Sequence, residues 1–374
     1  PALTSERTFF ARDTVRMHGP IRDYAAARLK AGELPLWWPF EGMGTPFLAQ
    51  GVTAVLHPFA LAVVPFSQPV AIKLMTLACY ALAALGTFLL ARALALSRTA
   101  SVAAALAYAL SGYTVSMSNN WTFLAGATAL PGFLWGVELL ARRSWRYFAV
   151  AAAFLSSMVL AGDYQASYVA AGAGLAWALA RGEGRRGKLQ AVLALGAAGA
   201  AAGLVCAVQL AGSWELLHQS IRQRGFSDET AMRWSLPPIL VPELFLGPLF
   251  PVDTPRNVAN LLWNEPLRGV WAPGVELGGM VLLLALVAAF TRRERHPAST
   301  LLAVLAAVGL LLAMGPAGGL YRLAMRVLPL WGSFRFPEKL LPLLALPASV
   351  LAPMLEKAFM LLSAIWAICW AMKL

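Results

Sequence analysis

Basic residues gather in four short clusters, Arg92/Arg98, Arg142/Arg143/Arg146, Arg181/Arg185/Arg186/Lys188 and Arg292/Arg293/Arg295, each lying between long apolar runs. A bilayer core of about 30 Å needs roughly 20 apolar residues to cross as a helix. The intervening runs are close to that length, so the clusters read as loops on one side of a membrane. Lys and Arg are retained on the cytoplasmic side. The short loops of opposite parity, around Asn119–Asn120 and Gly162–Gln165, carry neither Lys nor Arg. Both loop sets therefore predict the same orientation, with the basic turns inside.

Composition limits the alternatives. Hydrophobic residues make up 59% of the chain and charged residues 13%, whereas soluble domains carry about a quarter charged residues. The chain reads as an all-α, polytopic membrane protein. Its net charge of +12 is mostly the orientation signal just described, because the inner loops are almost purely basic while the outer segments mix both signs. Nucleic-acid binding is therefore not expected. Cys79, Cys206 and Cys369 sit in apolar runs, where free Cys behaves as a small hydrophobe. His18, His57, His218 and His296 show no metal-ligand spacing.

Residues 1–68 form the first predicted region, an outer loop whose stretch 51–66, broken by Pro58 and Pro65, reads as re-entrant or interfacial half-helices, with a full span as the alternative. Residues 69–374 form the predicted transmembrane domain. Its spans are expected at 69–91, 99–118, 121–141, 147–161, 164–180, 188–213, 271–291, 298–315, 339–355 and 358–373, about ten helices in all. Further outer loops are expected at 214–270 and 316–338, carrying short helices. The chain opens at Pro1 in polar sequence without an initiator Met, and a helix ahead of it is expected.

Chemistry is expected on the outer side. Asp13, in FFARDTVRMHGP, is either a solvated loop acid or a general base, since a carboxylate held at a membrane surface can take a proton from an acceptor hydroxyl. Trp37 in PLWWPFEGMGTP is an interfacial anchor or a substrate-lining ring. Gln50 and His57 are candidate hydrogen-bonding groups for a polar ligand, although His57 also reads as a structural histidine. Asp163, in AGDYQASY with Gln165, is either an N-cap or an ionisable group lining a cavity; Asn119 approaches the same face. Glu243, framed by prolines in an apolar stretch, is an acid/base candidate or the partner of an outer Arg. Arg335 and Lys339, in SFRFPEKLLPL, form either a phosphate clamp beside a helix start or a pair of snorkelling cations.

These motifs, GELPLWWPFEGMGTPFLAQGVTAVLHP with SGYTVSMSNN, GDYQASY and FRFPEK, resemble the bacterial YfhO-type membrane protein family, which belongs with the GT-C class of lipid-linked sugar transferases. The resemblance implies a GT-C-like enzyme in the bacterial inner membrane with its active face toward the periplasm or cell exterior. Such enzymes take a sugar from a polyprenyl-phosphate carrier and place it on an outer glycan or lipid acceptor. Carried over, Asp13 takes the place of the first-outer-loop acid, and Arg335 and Lys339 face the carrier phosphate. His57 stands where the family often has an aromatic, and relatives carry a large extracellular C-terminal portion. Some members of the class use a divalent cation, Mg or Mn; no carboxylate pair here establishes one, and no metal ligand is assigned.

The leading expectation is thus inverting glycosyl transfer, with Asp13 as base, Arg335 and Lys339 neutralising the departing phosphate, and Asp163 and Glu243 orienting sugar or acceptor. A flippase of lipid-linked glycans, which would show charged mid-helix residues and related halves, is one alternative. A non-enzymatic membrane assembly subunit is the other.

Overall fold

The computed structural model describes residues 13–249, 271–291, 296–355 and 358–359. The basic cluster Arg292/Arg293/Arg295, the expected helix at 358–373 from residue 360 on, Cys369 and the whole of the segment 250–270 lie outside the described residues. Twelve helices order the remainder: α1 (Gly19–Lys30), α2 (Gln68–Ala93), α3 (Arg98–Ala109), α4 (Trp121–Arg142), α5 (Phe148–Leu160), α6 (Tyr164–Arg181), α7 (Gly184–Val205), α8 (Ala207–His218), α9 (Gly279–Phe290), α10 (Ser299–Ala313), α11 (Leu320–Val327) and α12 (Pro342–Leu351). Shorter helical turns and a two-stranded ribbon complete the described architecture.

The protein is all-α in class, and it carries helices fit for a membrane. Among the described residues four helical stretches are long and apolar enough to cross one: Gln68–Ala93, Trp121–Arg142, Gly184–Val205 and Pro337–Leu355. A fifth arises if Arg98–Ala109 and Gly112–Asn119, bent by 43° at their junction, act as one broken span. Trp145–Leu160, Gly279–Phe290 and Ser299–Ala313 are apolar but shorter. The expected span at 188–213 is divided at Cys206 into α7 and α8, and helix within 271–291 begins only at Gly279.

The described chain falls into two compact units: residues 13–86, 117–226 and 332–334 in the first, and 87–116, 227–331 and 335–359 in the second. In the first, α4 is the hub. Its most apolar stretch is 89% buried within the protein, against 22% for α7. Small residues explain why: van der Waals packing replaces the hydrophobic drive between helices in lipid, and it favours faces that let backbones approach. A Cβ at Gly136 would lie 2.6 Å from the Ala151 nitrogen of α5, and one at Gly86 of α2 would lie 2.8 Å from the Gly132 nitrogen. Pro131 is accommodated inside the same helix.

At the end of α4 that leads into the Arg142–Arg146 loop, Glu138 is buried yet fully matched. Trp177 donates its indole N–H to Oε2 at 2.8 Å, while Arg181 donates from Nη2 to Oε1 at 2.7 Å and from Nε to Oε2 at 3.0 Å. The bidentate fork of Arg suits a carboxylate, and it fastens α6 to α4. Arg142 reaches Glu183 nearby.

The long first segment is not a plain loop. Residues 14–18 form a π-helical turn that continues into α1. Ile21 and Ala25 of α1 pack with Phe47, Leu48 and Val55, beneath a ribbon in which Trp37 pairs with Pro46 and Trp38 with Thr45. Tyr24 ties the two together: its hydroxyl donates to the Trp37 carbonyl at 2.6 Å, and its ring meets Trp38 edge-on at 5.1 Å. The stretch 51–66 forms a short turn at Gly51–Thr53 and one short helix, Pro58–Ala62.

In the second unit α12 packs against α10, where a Cβ at Gly309 would fall 2.6 Å from the Leu343 carbonyl carbon. The entry to α12 is pinned by Glu338, whose buried carboxylate accepts the backbone N–H groups of Trp271 at 3.1 Å and Ala272 at 3.3 Å.

Candidate functional site

Asp13 stands at the head of the π-helical turn, half-buried. Asn120, the residue entering α4, donates from Nδ2 to Asp13 Oδ2 at 2.7 Å. That bond fixes the amide: its nitrogen faces the carboxylate, so its oxygen faces the other way, toward His18 Nε2 at 3.3 Å. An oxygen can only accept. His18 therefore carries its proton on Nε2, and a directed chain runs from His18 through Asn120 to Asp13.

The π-helical turn makes this possible. Asp13 and His18 are five residues apart, and a π turn closes over five residues where an α turn closes over four. Thr14, in the same turn, donates its hydroxyl to the Asn119 carbonyl at 3.1 Å. Asn119 was the expected side chain here, but it contributes its backbone carbonyl, and its neighbour Asn120 supplies the side-chain contact. One residue of offset follows from the tight 3-10 turn at Met117–Asn119, which carries the chain into α4.

One α turn beyond His18 lies Arg22, buried with 7% of its surface exposed. Burial disfavours the charged guanidinium and lowers its pKa to about 10. Burial, followed by the Arg22 charge, brings His18 down to about 4, and the same two causes bring His57 to about 3. Both imidazoles are consequently neutral near pH 7. His57 sits in α1's own neighbourhood and has a definite tautomer: Nδ1 accepts the Phe59 N–H at 3.1 Å, so Nε2 carries the proton and donates to Ser157 Oγ at 2.9 Å. It caps the helix Pro58–Ala62 and packs edge-on against Trp121 at 4.8 Å. These contacts give His57 a structural role.

The remaining expected residues of this unit are placed as follows. Asp163 is buried and caps α6, accepting the Ala166 N–H at 3.1 Å; its carboxylate occupies space that a Cβ at Gly126 would invade at 2.3 Å. Gln165 is buried in the first turn of α6. Gln50 donates to Thr45 Oγ1 at 2.8 Å and so braces the ribbon. Trp37 is half-exposed on that ribbon, whose tip presents Phe40 and Met43 to the surroundings. Asp23, the other acid of the first segment, is exposed on α1.

Arg335, Lys339 and Glu243 belong to the second unit. Arg335 lies 4.5 Å from the Phe336 ring centre, while Lys339 Nζ lies 5.0 Å from Phe336 and 5.1 Å from Trp271. Trp234, Trp271 and Phe336 are in mutual contact. Arg233 adds a third cation over Trp234 at 5.4 Å, and burial together with the Arg233 charge lowers the Arg335 pKa. Two bulky residues here adopt left-handed backbone, Trp234 at φ 54° and Phe336 at φ 75°. Such strain persists only where the surroundings impose it, and it concentrates at functional sites. The Phe336 N–H donates to the Ala231 carbonyl, and the Glu338 N–H to the Trp234 carbonyl, which locks the two strained segments together. Tyr113 donates to the Lys339 carbonyl at 3.4 Å. Glu243 is buried and accepts the Leu249 N–H at 2.9 Å, so it closes a turn.

Sequence reasoning missed His18, Arg22, Arg233 and Glu338 as partners. For His18 and Arg22 a signal existed, a four-residue spacing that puts them one α turn apart, whereas Asp13, five residues before His18, joins them only through the π turn. For Arg233 the only cue was adjacency to Trp234. Among the described residues no cluster of three or more His, Cys, Asp or Glu is arranged to hold a metal ion. Compared with known proteins, the chain matches no family model, no curated protein and no solved structure.

Proposed function

We propose that this protein is an integral membrane glycosyltransferase that moves a sugar from a polyprenyl-phosphate carrier to a glycan or lipid acceptor on the outer surface. On this reading the chain has about ten spans in a GT-C-like arrangement, sits in a bacterial inner membrane, and works on the face opposite its arginine-rich turns. Asp13 takes the proton of the acceptor hydroxyl as the bond to the carrier phosphate breaks with inversion. Arg335 and Lys339 of the second unit, with Arg233 beside them, are the groups that bind the carrier phosphate on this reading.

The observation that carries the reading is the aimed carboxylate of Asp13. A general base must be held in a fixed pose within hydrogen-bond reach of the proton it removes, and the 2.7 Å bond from Asn120, itself braced by His18, supplies that pose. The strained, aromatic-backed group of cations around Arg335 supports the phosphate half of the reaction. A positioned base contributes about 10²- to 10⁴-fold to such a step. Transfer from a polyprenyl-phosphate sugar is therefore expected to fall about a hundredfold or more in Asp13→Asn and to weaken in Arg335→Ala. Near-native turnover in both variants removes the mechanism. Carrier movement across vesicles without bond cleavage would identify a flippase instead.

A further inference from the structure

Beside the Asp13 chain the first unit encloses a cavity lined by Thr14, His18, Arg22, Thr76, Ser118 and Trp121, among others. Its enclosed part has room for about one water-sized group, and its empty space counted out through the mouth is about 310 Å3. Arg22 is the one charged group in the lining. Its Nη2 is buried and makes no hydrogen bond among the described residues, and no ion pair to Arg22 is formed among them. The carboxylate nearest in the network, Asp13, is engaged by Asn120 and does not line the cavity.

A buried charge is ordinarily paired or neutralised, because leaving water is costly for an ion. Arg22 keeps its proton, since a pKa of about 10 still leaves it charged at neutral pH. Among the described residues no acidic side chain lines this cavity or forms an ion pair with Arg22. The two histidines that feel its charge are held neutral. The cavity is thus a place where positive charge is retained with a donor to spare.

We infer that this cavity is a phosphate-binding site, in which one phosphate oxygen enters to meet Arg22 Nη2 while the rest of the group stays at the mouth. The enclosed space admits one oxygen, and the rest of the group stays in the open mouth. A guanidinium matches the geometry of an oxyanion better than a point charge does. Ser118 can add a second donor: Tyr80 O–H can donate to Ser118 Oγ across their 2.6 Å contact, which leaves the Ser118 hydrogen for the ligand. This site is lined by residues of the first unit, and it does not rest on the transferase reading, because it is measured by binding alone.

The phosphate can come from a lipid headgroup or from solution, and the test separates the two. The full chain in detergent is titrated with inorganic phosphate and, separately, with dodecyl phosphate, with chloride as the control anion, while thermal stability and phosphorus NMR are followed. Dodecyl phosphate is expected to stabilise the wild type. A comparable response to inorganic phosphate assigns a free ligand, and a response to dodecyl phosphate alone assigns a lipid headgroup. Arg22→Met, which replaces the unpaired cation by an apolar chain of similar length, is expected to bind at least tenfold more weakly while its ligand-free Tm rises. Arg335→Ala is expected to keep the binding. Equal phosphate affinity in Arg22→Met and wild type overturns the site. So does a wild type that responds to chloride as well as to phosphate, or to neither. Should Arg22→Met fail to fold, Ser118→Ala must still weaken phosphate binding; unchanged affinity there, together with unchanged phosphorus shifts in wild type, also overturns it.

Discussion

Acidification from pH 7 to pH 5.5 should loosen this protein through two buried imidazoles. His18 has a folded pKa of about 4 and His57 one of about 3, against 6.5 for a free side chain. The unfolded chain takes up protons on both residues as pH falls through 6.5, and the folded chain refuses them. Stability is therefore full above pH 6.5 and is lost below it, at about 1.4 kcal/mol per pH unit per histidine, until the folded pKa values are reached. Between pH 7 and 5.5 the loss is about 1.2 kcal/mol for each, or roughly 2.5 kcal/mol for the pair. Unfolding in mixed detergent followed by circular dichroism at the two pH values measures the loss. The double variant His18→Gln/His57→Asn keeps a polar side chain at each position and removes the titration, so its stability should be nearly flat over the same range. If wild type is equally stable at both pH values, or if the double variant loses as much as wild type, the account of neutral, buried histidines fails.

Three further outcomes test the packing and the site. Arg181→Met strands the buried Glu138 carboxylate and should cost about 3–5 kcal/mol; adding Glu138→Gln should restore part of that loss in a double-mutant cycle, and strict additivity would deny the coupling. Gly86→Ala places a Cβ 2.8 Å from the Gly132 backbone and should cost about 1–3 kcal/mol, while Gly172→Ala, which meets nothing within 4 Å, should be close to neutral in the same unfolding assay. Asp163→Asn keeps the cap of α6 and Asp163→Ala removes it, at about 0.5–2 kcal/mol; sugar transfer that collapses in both variants would instead assign Asp163 to the substrate.

The helices were legible wherever apolar length alone decides the outcome. The expected spans at 69–91 and 121–141 lie within α2 and α4, and 298–315 brackets α10. Hydropathy failed in two kinds of place. The segment 188–213 is apolar throughout, yet α7 ends at Val205 and α8 begins at Ala207, because a run of Ala, Gly and Leu carries no signal that distinguishes a straight helix from a broken one. In the first segment, α1 is too polar to register as a span and its buried face includes Gly19, Arg22 and Ala25. A face on which Ile21 and Ala25 share the burial with a glycine and an arginine shows only a weak hydrophobic stripe. What organises it is the aromatic packing of Tyr24, Trp38 and Phe47, which becomes visible only once the ribbon folds back.

The site was legible one residue type at a time and illegible as a network. Asp13 read equally as a solvated loop acid, and what singled it out was the resemblance, in which it takes the place of the first-outer-loop acid. Its partner could not be chosen from SNN, since Asn119 and Asn120 are chemically identical and adjacent. A single step along a 3-10 turn rotates the side chain by about 120°, and that rotation sends one asparagine's carbonyl to Thr14 and the other's amide to Asp13. Arg22 was hidden for a different reason. In an outer segment that mixes both signs one more arginine reads as a solvated loop cation, because a charge count treats a solvated cation and a buried one alike. Only burial separates them, and burial reverses the meaning. On the surface Arg22 would report which side of the membrane its segment occupies, whereas enclosed beside two neutral histidines it demands an anion.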